Sequence, residues 1–455
     1  MSFMRRRLLR SQLRLKNLER LSDNTIHYYC ATGIDNMNYP SFRNQKIEIY
    51  EKIRKDVLCG DYNFVRYKEK LIIKNRNSNP RCISIPTLRD RLTNKVILET
   101  LKEYYPECSR THLPQECIKL LDKYLTIFKY EYFIKLDLSD FYGKINQPLL
   151  LKKLSLRIKD KNLLKLIKDA IQTPTIPEEK KVTEGVPQGL SISNILSQIY
   201  MLEFDELNFP DCHIVRYVDD ILVLCKKSNA NNIFSFLKEY IIDTLGLKLN
   251  TTKKDEGELV KKGFDYLGYH ISLKKIGSPT LTIKKQNIYR LEKKIIDLIT
   301  RYKYQQGEKG NFSTDAFIFE LNLIISGTIS SQIEGSSCVK KRYGWMFFYS
   351  QINDLNRLFH LDRFIEKNLK DVKLPESDLK RVKKFIKAYH EIRFNLEKSN
   401  YVFRPDNISL SSKKEMMREY YAIDIIKDED VERIFRKMVY RKIKNNERDI
   451  IHDIS

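Results

Sequence analysis

His213–Cys225 reads HIVRYVDDILVLC, and its interpretation decides the fold. Two short runs of Ile, Val and Leu flank an adjacent pair of carboxylates, Asp219 and Asp220. Apolar runs of this length read as buried strands, and two in succession read as a hairpin with the acids at or near its turn. A buried carboxylate is costly unless something pairs with it. A divalent cation is the simplest partner for two carboxylates held side by side. Asp is also common in hairpin turns, so the pair alone leaves both readings open. The rest of the chain has to supply the companions that a metal site needs.

The composition bounds the answer. At 455 residues the chain is long enough for two or three modules with real cores. Hydrophobic residues make up 42%, and no apolar run approaches the length of a membrane span, so a soluble globular protein without a membrane partner is expected. Lys and Arg total 83 against 59 Asp and Glu, a formal net charge of +24. Such an excess favours a polyanionic partner, nucleic acid first and an anionic membrane surface second. The 27 Tyr and 22 Phe, interleaved with basic residues, suit stacking on unpaired bases, although most must be ordinary core. None of the eight cysteines is spaced as CxxC, so neither a disulfide framework nor a zinc site is indicated. A reducing cytoplasmic setting is expected, and the N-terminus has no signal-peptide pattern.

Working outward in both directions, the first twenty residues alternate leucines with seven basic side chains. They read as a basic helix lying on a nucleic-acid backbone, as a leucine-packed solvated helix, or as a transit peptide. Residues 41–60 read as a helix stopped by Gly60. Tyr67–Lys74 and Arg81–Ile85 read as a hairpin crowded by Lys70, Lys74, Arg76 and Arg81, either a charge-guarded edge or a flap that grips phosphates. Helices are expected over 88–105, 114–130 and 149–171. Tyr132–Leu138 (YFIKLDL) is a strand in which Asp137 interrupts the apolar run, out of place for simple packing. Glu184–Ser193 (EGVPQGLSIS) is a glycine-rich loop opening a helix, a place where backbone can approach phosphate. It lacks the Lys-Ser/Thr of a P-loop, which disfavours an ATPase. A helix over 232–245, a short strand at 247–250, a strand with a glycine turn at 264–272 and a long helix from Thr282 to Tyr304 follow. Helices are expected from there to the end, with 342–364 the most aromatic stretch.

A lone strand acid, a glycine-rich loop and a carboxylate pair, in that order, resemble the palm of reverse transcriptases. FIKLDLSDFY is similar to the strand with the family's first metal-binding acid, and EGVPQGLSIS to its nucleotide-supporting loop and helix. YVDD is the family's signature tetrapeptide. LGLKLNTTKK and FDYLGYHI resemble the two motifs after it, and RCISIPTLRDR the fingers motif before. The resemblance is strong over about 60–275 and looser over 280–370. It implies an α+β, right-hand polymerase fold. Its parts are a basic helical N-terminal region (1–60), fingers and palm (61–275), a helical thumb (276–370) and a helical C-terminal extension (371–455).

The resemblance further implies an RNA-directed DNA polymerase using two Mg²⁺ ions, with Mn²⁺ as an alternative. Asp137 and Asp219 would bridge the ions, Leu138 would offer its carbonyl, and Asp220 would assist. Tyr142 falls on the position that selects dNTPs, Gln188 and Gly189 on nucleotide and template contacts, and Arg81 with Lys74 on the triphosphate grip. Lys253 or Lys254 is the candidate proton donor to pyrophosphate. Expected partners are an RNA template, a DNA product and dNTPs, with a homo-oligomer allowed. Lacking a recognisable RNase H or Cys/His endonuclease module, the chain most resembles bacterial antiviral-defence reverse transcriptases, in which a structured non-coding RNA serves as template. An intron maturase and a catalytically idle RNA-binding palm are the alternatives.

Overall fold

The structure is a computed structural model that describes residues 7–28, 30–73, 80–110, 113–305, 312–334, 337–372, 374–443 and 445–446. Helices and antiparallel sheets alternate, as the α+β expectation requires. The chain divides into two compact units, one of residues 1–112 and 132–256, the other of 113–131 and 257–455.

In the first unit, helices Arg7–Gln12 and Leu15–Thr25 and the link between them bury Leu9, Leu13, Leu18 and Leu21 in the same core as Leu92, Val96, Ile97 and Leu101 of helix Leu88–Tyr104. Each such side chain contributes about 1.5–3 kcal/mol, so the leucines fix these helices, while Arg10, Arg14 and Lys16 stay exposed. Helix Lys46–Cys59 ends on Gly60 at φ 78°, the left-handed cap that glycine adopts without strain. The basic hairpin is strands β1 (Lys68–Ile72) and β2 (Arg81–Ile85), antiparallel. Lys74 and Arg76 lie outside the described residues.

The single helix expected over 149–171 is two, Gln147–Arg157 and Lys161–Gln172. Asp160 makes the break, its carboxylate accepting from the N–H groups of Asn162 and Leu163 as an N-cap. The central sheet contains β3 (Tyr132–Ser139), β4 (Cys212–Tyr217), β5 (Asp220–Cys225) and β6 (Lys248–Leu249) in the order β4-β5-β3-β6, with β7 (Asp255–Glu258) also paired to β3. Ile134, Leu136, Leu138, Ile221 and Val223 bury one face of this sheet in the core that includes Ile195, Leu196, Ile199 and Tyr200 of helix Ser193–Asp205.

The second unit opens its sheet with β8 (Phe264–Tyr266), β9 (Tyr269–Lys275) and β10 (Ser278–Ile283). Thr282 and Ile283 pair with His270 and Tyr269, so the long helix starts later than expected, at Lys285, and runs to Gln305. The expectation of helices alone beyond it also fails. After helix Thr314–Ser326, strands β11 (Thr328–Glu334) and β12 (Ser337–Tyr343) form an antiparallel hairpin. Gly327, at φ 67°, ends that helix beside β12, where a Cβ would sit 2.4 Å from the Tyr343 carbonyl oxygen. The aromatic stretch supplies core: Trp345, Met346, Phe347, Phe348 and Tyr349 are buried. Helices Asn356–Lys370, Phe385–Phe394, Leu410–Tyr421 and Asp428–Phe435 complete the unit. Among the described residues no helix is long and apolar enough to cross a membrane.

Candidate active site

β3 and β5 are neighbours, and their register sets Asp137 directly opposite Asp220. Asp219 stands in the two-residue turn between β4 and β5, whose ends pair Tyr217 with Asp220. The N–H of Leu138 donates to the Asp219 carbonyl at 3.3 Å, tying that turn to β3. Asp137 and Asp219, 82 residues apart in sequence, thus meet with Asp220 at one end of two adjacent strands.

The electrostatics are those of carboxylates crowded out of water. Burial pushes the Asp219 carboxyl up, and Asp137 adds to this, while Arg81 and Lys253 oppose it. Asp220 is pushed up to about 6, by burial first; Asp219 and Asp137 reinforce the shift and Lys135 opposes it. Asp137 Oδ2 accepts from Asn250 Nδ2 at 3.1 Å and from Lys253 Nζ at 3.0 Å. The donor set fits a hard divalent cation in charge and atom type, since a cation offsets the repulsion that raises both carboxyls. It is not a preformed cage: among the described residues no three His, Cys, Asp or Glu side chains are already drawn into a metal shell. A cation on Asp137 would compete with Lys253 for the same oxygen.

The glycine-rich loop is stitched between two neighbours. Gly185 N–H donates to the Ile145 carbonyl and Val186 N–H to that of Tyr142, both at 2.8 Å. On the other side Ser84 N–H of β2 donates to the Gln188 carbonyl at 2.7 Å. Gly189 has φ 105°, and a Cβ there would lie 2.7 Å from Ile83 Cγ2 and 2.8 Å from the Ser84 carbonyl oxygen. Only glycine lets β2 approach so closely. That approach brings Arg81 near enough for its charge to act on Asp219 and on Tyr142. The Tyr142 phenol is pushed up by burial, with Asp219 adding to the shift and a hydrogen bond to Ser197 opposing it.

The structure thus gathers Asp137, Leu138, Asp219, Asp220, Arg81, Tyr142, Gln188, Gly189 and Lys253 around one sheet end. Lys254 is directed elsewhere: its ammonium bonds Glu256 at 2.8 Å and lies 3.6 Å from the centre of the Phe234 ring.

Sequence reasoning missed three contributors. Asn250 and Lys135 hold or neutralise the acids, and Arg216 braces their turn. Arg216 has a side chain only 4% exposed. Its Nε donates to Asp205 Oδ1 at 2.6 Å, its Nη1 to the Val218 carbonyl at 2.8 Å, and its Nη2 to Gln198 Oε1 at 2.9 Å and to Asp205 Oδ2. Val218 has φ 54°, a left-handed conformation that costs a β-branched residue about 1–2 kcal/mol. A hydrogen bond to a charged group is worth about 1.5–3 kcal/mol, enough to hold that turn. The readable signal was an arginine inside an apolar strand, a charge that has to find a partner.

Residues 72–271 match the family model described as "Reverse transcriptase (RNA-dependent DNA polymerase)". This segment, which carries β2, the glycine-rich loop and all three acids, is a reverse transcriptase domain of the kind found in RNA-directed DNA polymerases. The chain is similar to Protein YkfC of Escherichia coli (strain K12), 24% identical over 293 residues, or 53% of this chain and 76% of that protein. It is also similar to Group II intron-encoded protein LtrA of Lactococcus lactis subsp. cremoris, 26% identical over 185 residues, or 38% of this chain and 30% of LtrA. The chain therefore spans less than a third of that intron-encoded relative. Among solved structures, telomerase from Candida albicans in complex with a TWJ fragment of telomeric RNA is 14% identical, with a TM-score of 0.43 over 87% of this chain and 68% of that one.

Proposed function

We propose that the protein is an RNA-directed DNA polymerase that adds dNTPs to a 3′ end by two-metal nucleotidyl transfer. The observation that carries this reading is the meeting of Asp137, Asp219 and Asp220 on adjacent strands within a reverse transcriptase domain. When bound, two Mg²⁺ ions, or Mn²⁺ in their place, supply Lewis-acid stabilisation of the attacking and leaving oxygens. Asp137 and Asp219 would hold them together with the Leu138 carbonyl, and Asp220 would assist. Arg81, joined by Lys74, receives the triphosphate; Gln188 and Gly189 support nucleotide and template; Tyr142 selects against a ribose 2′-hydroxyl. Lys253, whose ammonium already reaches Asp137, is the better placed of the two lysines to give a proton to pyrophosphate. In this reading 61–275 serve as fingers and palm, 276–370 as thumb, 1–60 as a basic N-terminal region and 371–455 as an extension.

The test is Mg²⁺-dependent dNTP incorporation on an RNA template, compared with the Asp219→Ala and Asp220→Ala proteins. Each substitution is expected to abolish it, and incorporation by the double variant at the native rate overturns the assignment.

We extend the reading to bacterial antiviral defence, with a structured non-coding RNA as template and a homo-oligomer as the working form. Support comes from the helices between Glu376 and Tyr440 and the likeness to a bacterial relative. The likeness to LtrA favours a second reading, a maturase-like protein acting on intron RNA. Sequencing the RNA that co-purifies separates them: a short dedicated RNA supports defence, intron RNA the maturase.

A further inference from the structure

Asp219 and Asp220 sit at a turn that does not hold itself. Val218 precedes them in a left-handed conformation that valine rarely adopts, and such backbone persists only where its surroundings over-determine it. Two contacts from outside the turn hold it: the Leu138 N–H on the Asp219 carbonyl at 3.3 Å and the Arg216 side chain on the Val218 carbonyl at 2.8 Å. On β4, Arg216 is the register partner of Ile221, whereas Tyr217 is the partner of Asp220. Alternation therefore places Arg216 on the face opposite Asp220, over the core. From there its guanidinium forks to Asp205 and Gln198, and sends one N–H to the Val218 carbonyl. Arg81 and Lys253 are cations whose charge acts on Asp219, whereas the Arg216 guanidinium is paired with Asp205 and its charge also acts on the Tyr142 phenol.

We infer that Arg216 is the positioning residue of the acid turn. It touches neither substrate nor reacting atoms, and acts by fixing the Val218 carbonyl and so the direction in which Asp219 and Asp220 leave the backbone. Gln198 and Asp205 anchor it to helix Ser193–Asp205. Ser197 of the same helix bonds Tyr142, so one helix sets both the acid turn and the side chain assigned to sugar selection. The inference rests on the polymerase reading for its consequence in catalysis, but the clamp itself is a property of the apo chain.

The experiment uses the full chain and two variants, Arg216→Lys and Asp205→Asn. Lysine keeps the charge but cannot make the planar fork. Misplacing the acids by about an ångström is expected to lower the turnover rate on the order of 10²-fold, with the KM for dNTP nearly unchanged and a higher Mg²⁺ concentration needed for half-maximal rate. Asp205→Asn should shift the same quantities less, and the double variant should be no worse than Arg216→Lys alone, because the two residues act as one unit. Two readouts need no turnover. Amide hydrogen exchange at 217–221, with EDTA present, should quicken in the variants while that of helix Ser193–Asp205 does not. Mn²⁺ binding, followed by its electron paramagnetic resonance signal, should weaken. If Arg216→Lys fails to fold, Asp205→Asn carries the test. A folded Arg216→Lys protein with native exchange at the turn and native Mn²⁺ binding overturns the inference. A wild-type chain that binds Mn²⁺ but incorporates no dNTP defeats the polymerase reading instead, and leaves the exchange result to decide the clamp.

Discussion

Among the hairpins that close with two-residue turns, two solve one problem differently. Between β8 and β9 the turn residues are Leu267 and Gly268, at φ 47° and 80°. Between β4 and β5 they are Val218 and Asp219, with only Val218 at positive φ. Glycine makes the first turn locally tolerable, since it adopts such angles without a Cβ clash. The second has no glycine, places Val218 at the left-handed position, and is braced from outside by Arg216. A turn built for packing relaxes itself; a turn built to present charge depends on its neighbours. Stability and function should therefore respond in opposite directions at the acid turn, whereas at the other turn stability alone should respond.

The largest contrast is expected at Asp220. Asp220→Asn should remove nearly all incorporation, on the order of 10³-fold or more, as loss of a metal-holding carboxylate does. The same change should raise the melting temperature in EDTA, because burial and two neighbouring carboxylates disfavour the ionised side chain. A variant that is both inactive and less stable would show that the carboxylate braces the turn instead of straining it.

The pH dependence of stability sharpens this. Burial pushes the folded carboxyl of Asp220 up to about 6 from its ordinary value of 3.8, so folding favours the protonated form. In EDTA its penalty is fully present above pH 6, shrinks as pH falls, and is gone below the unfolded value. The expected difference between wild type and Asp220→Asn is on the order of 1–3 kcal/mol at neutral pH. Denaturant titrations at pH 7.5, 6 and 4 check it: the two proteins should converge as the solution is acidified. A gap that stays constant across that range assigns the effect to packing.

How much of this was legible in the chain depended on the range of the interaction. β3, β4 and β5 could be read because short apolar runs bounded by acids and turns carry their own signal. Gly60 and the glycines of 185–189 could be read because φ and close approach are local demands. The break at Asp160 was local too, an Asp placed to cap Lys161–Gln172, and was overlooked because the apolar periodicity ran through it. Arg216 was visible as an oddity, but its partners Gln198 and Asp205 lie across the helix–sheet packing, and nothing in the string pairs them. The β11–β12 hairpin was hidden for a similar reason: a strand in a two-stranded ribbon is stabilised by its partner and not by its own propensity. Asn250, one residue beyond a two-residue strand, acquires its contact with Asp137 only when β6 docks on β3.

The smallest expected effect lies at the other turn and controls for the first. Gly268→Ala puts a Cβ at φ 80°, 3.0 Å from the Tyr349 hydroxyl and 3.2 Å from Asn287 Nδ2. Those two groups are hydrogen-bonded to each other at 2.8 Å in the core of the second unit, so neither yields freely. The left-handed backbone alone costs alanine about 1–2 kcal/mol, and the crowding adds to it. The melting temperature should fall by a few degrees while the dNTP incorporation of the folded fraction, and its Mg²⁺ dependence, stay native. Loss of incorporation at a temperature where Gly268→Ala is fully folded would mean that this turn, too, reports to the acids, and that the division between a self-sufficient turn and a braced one does not hold.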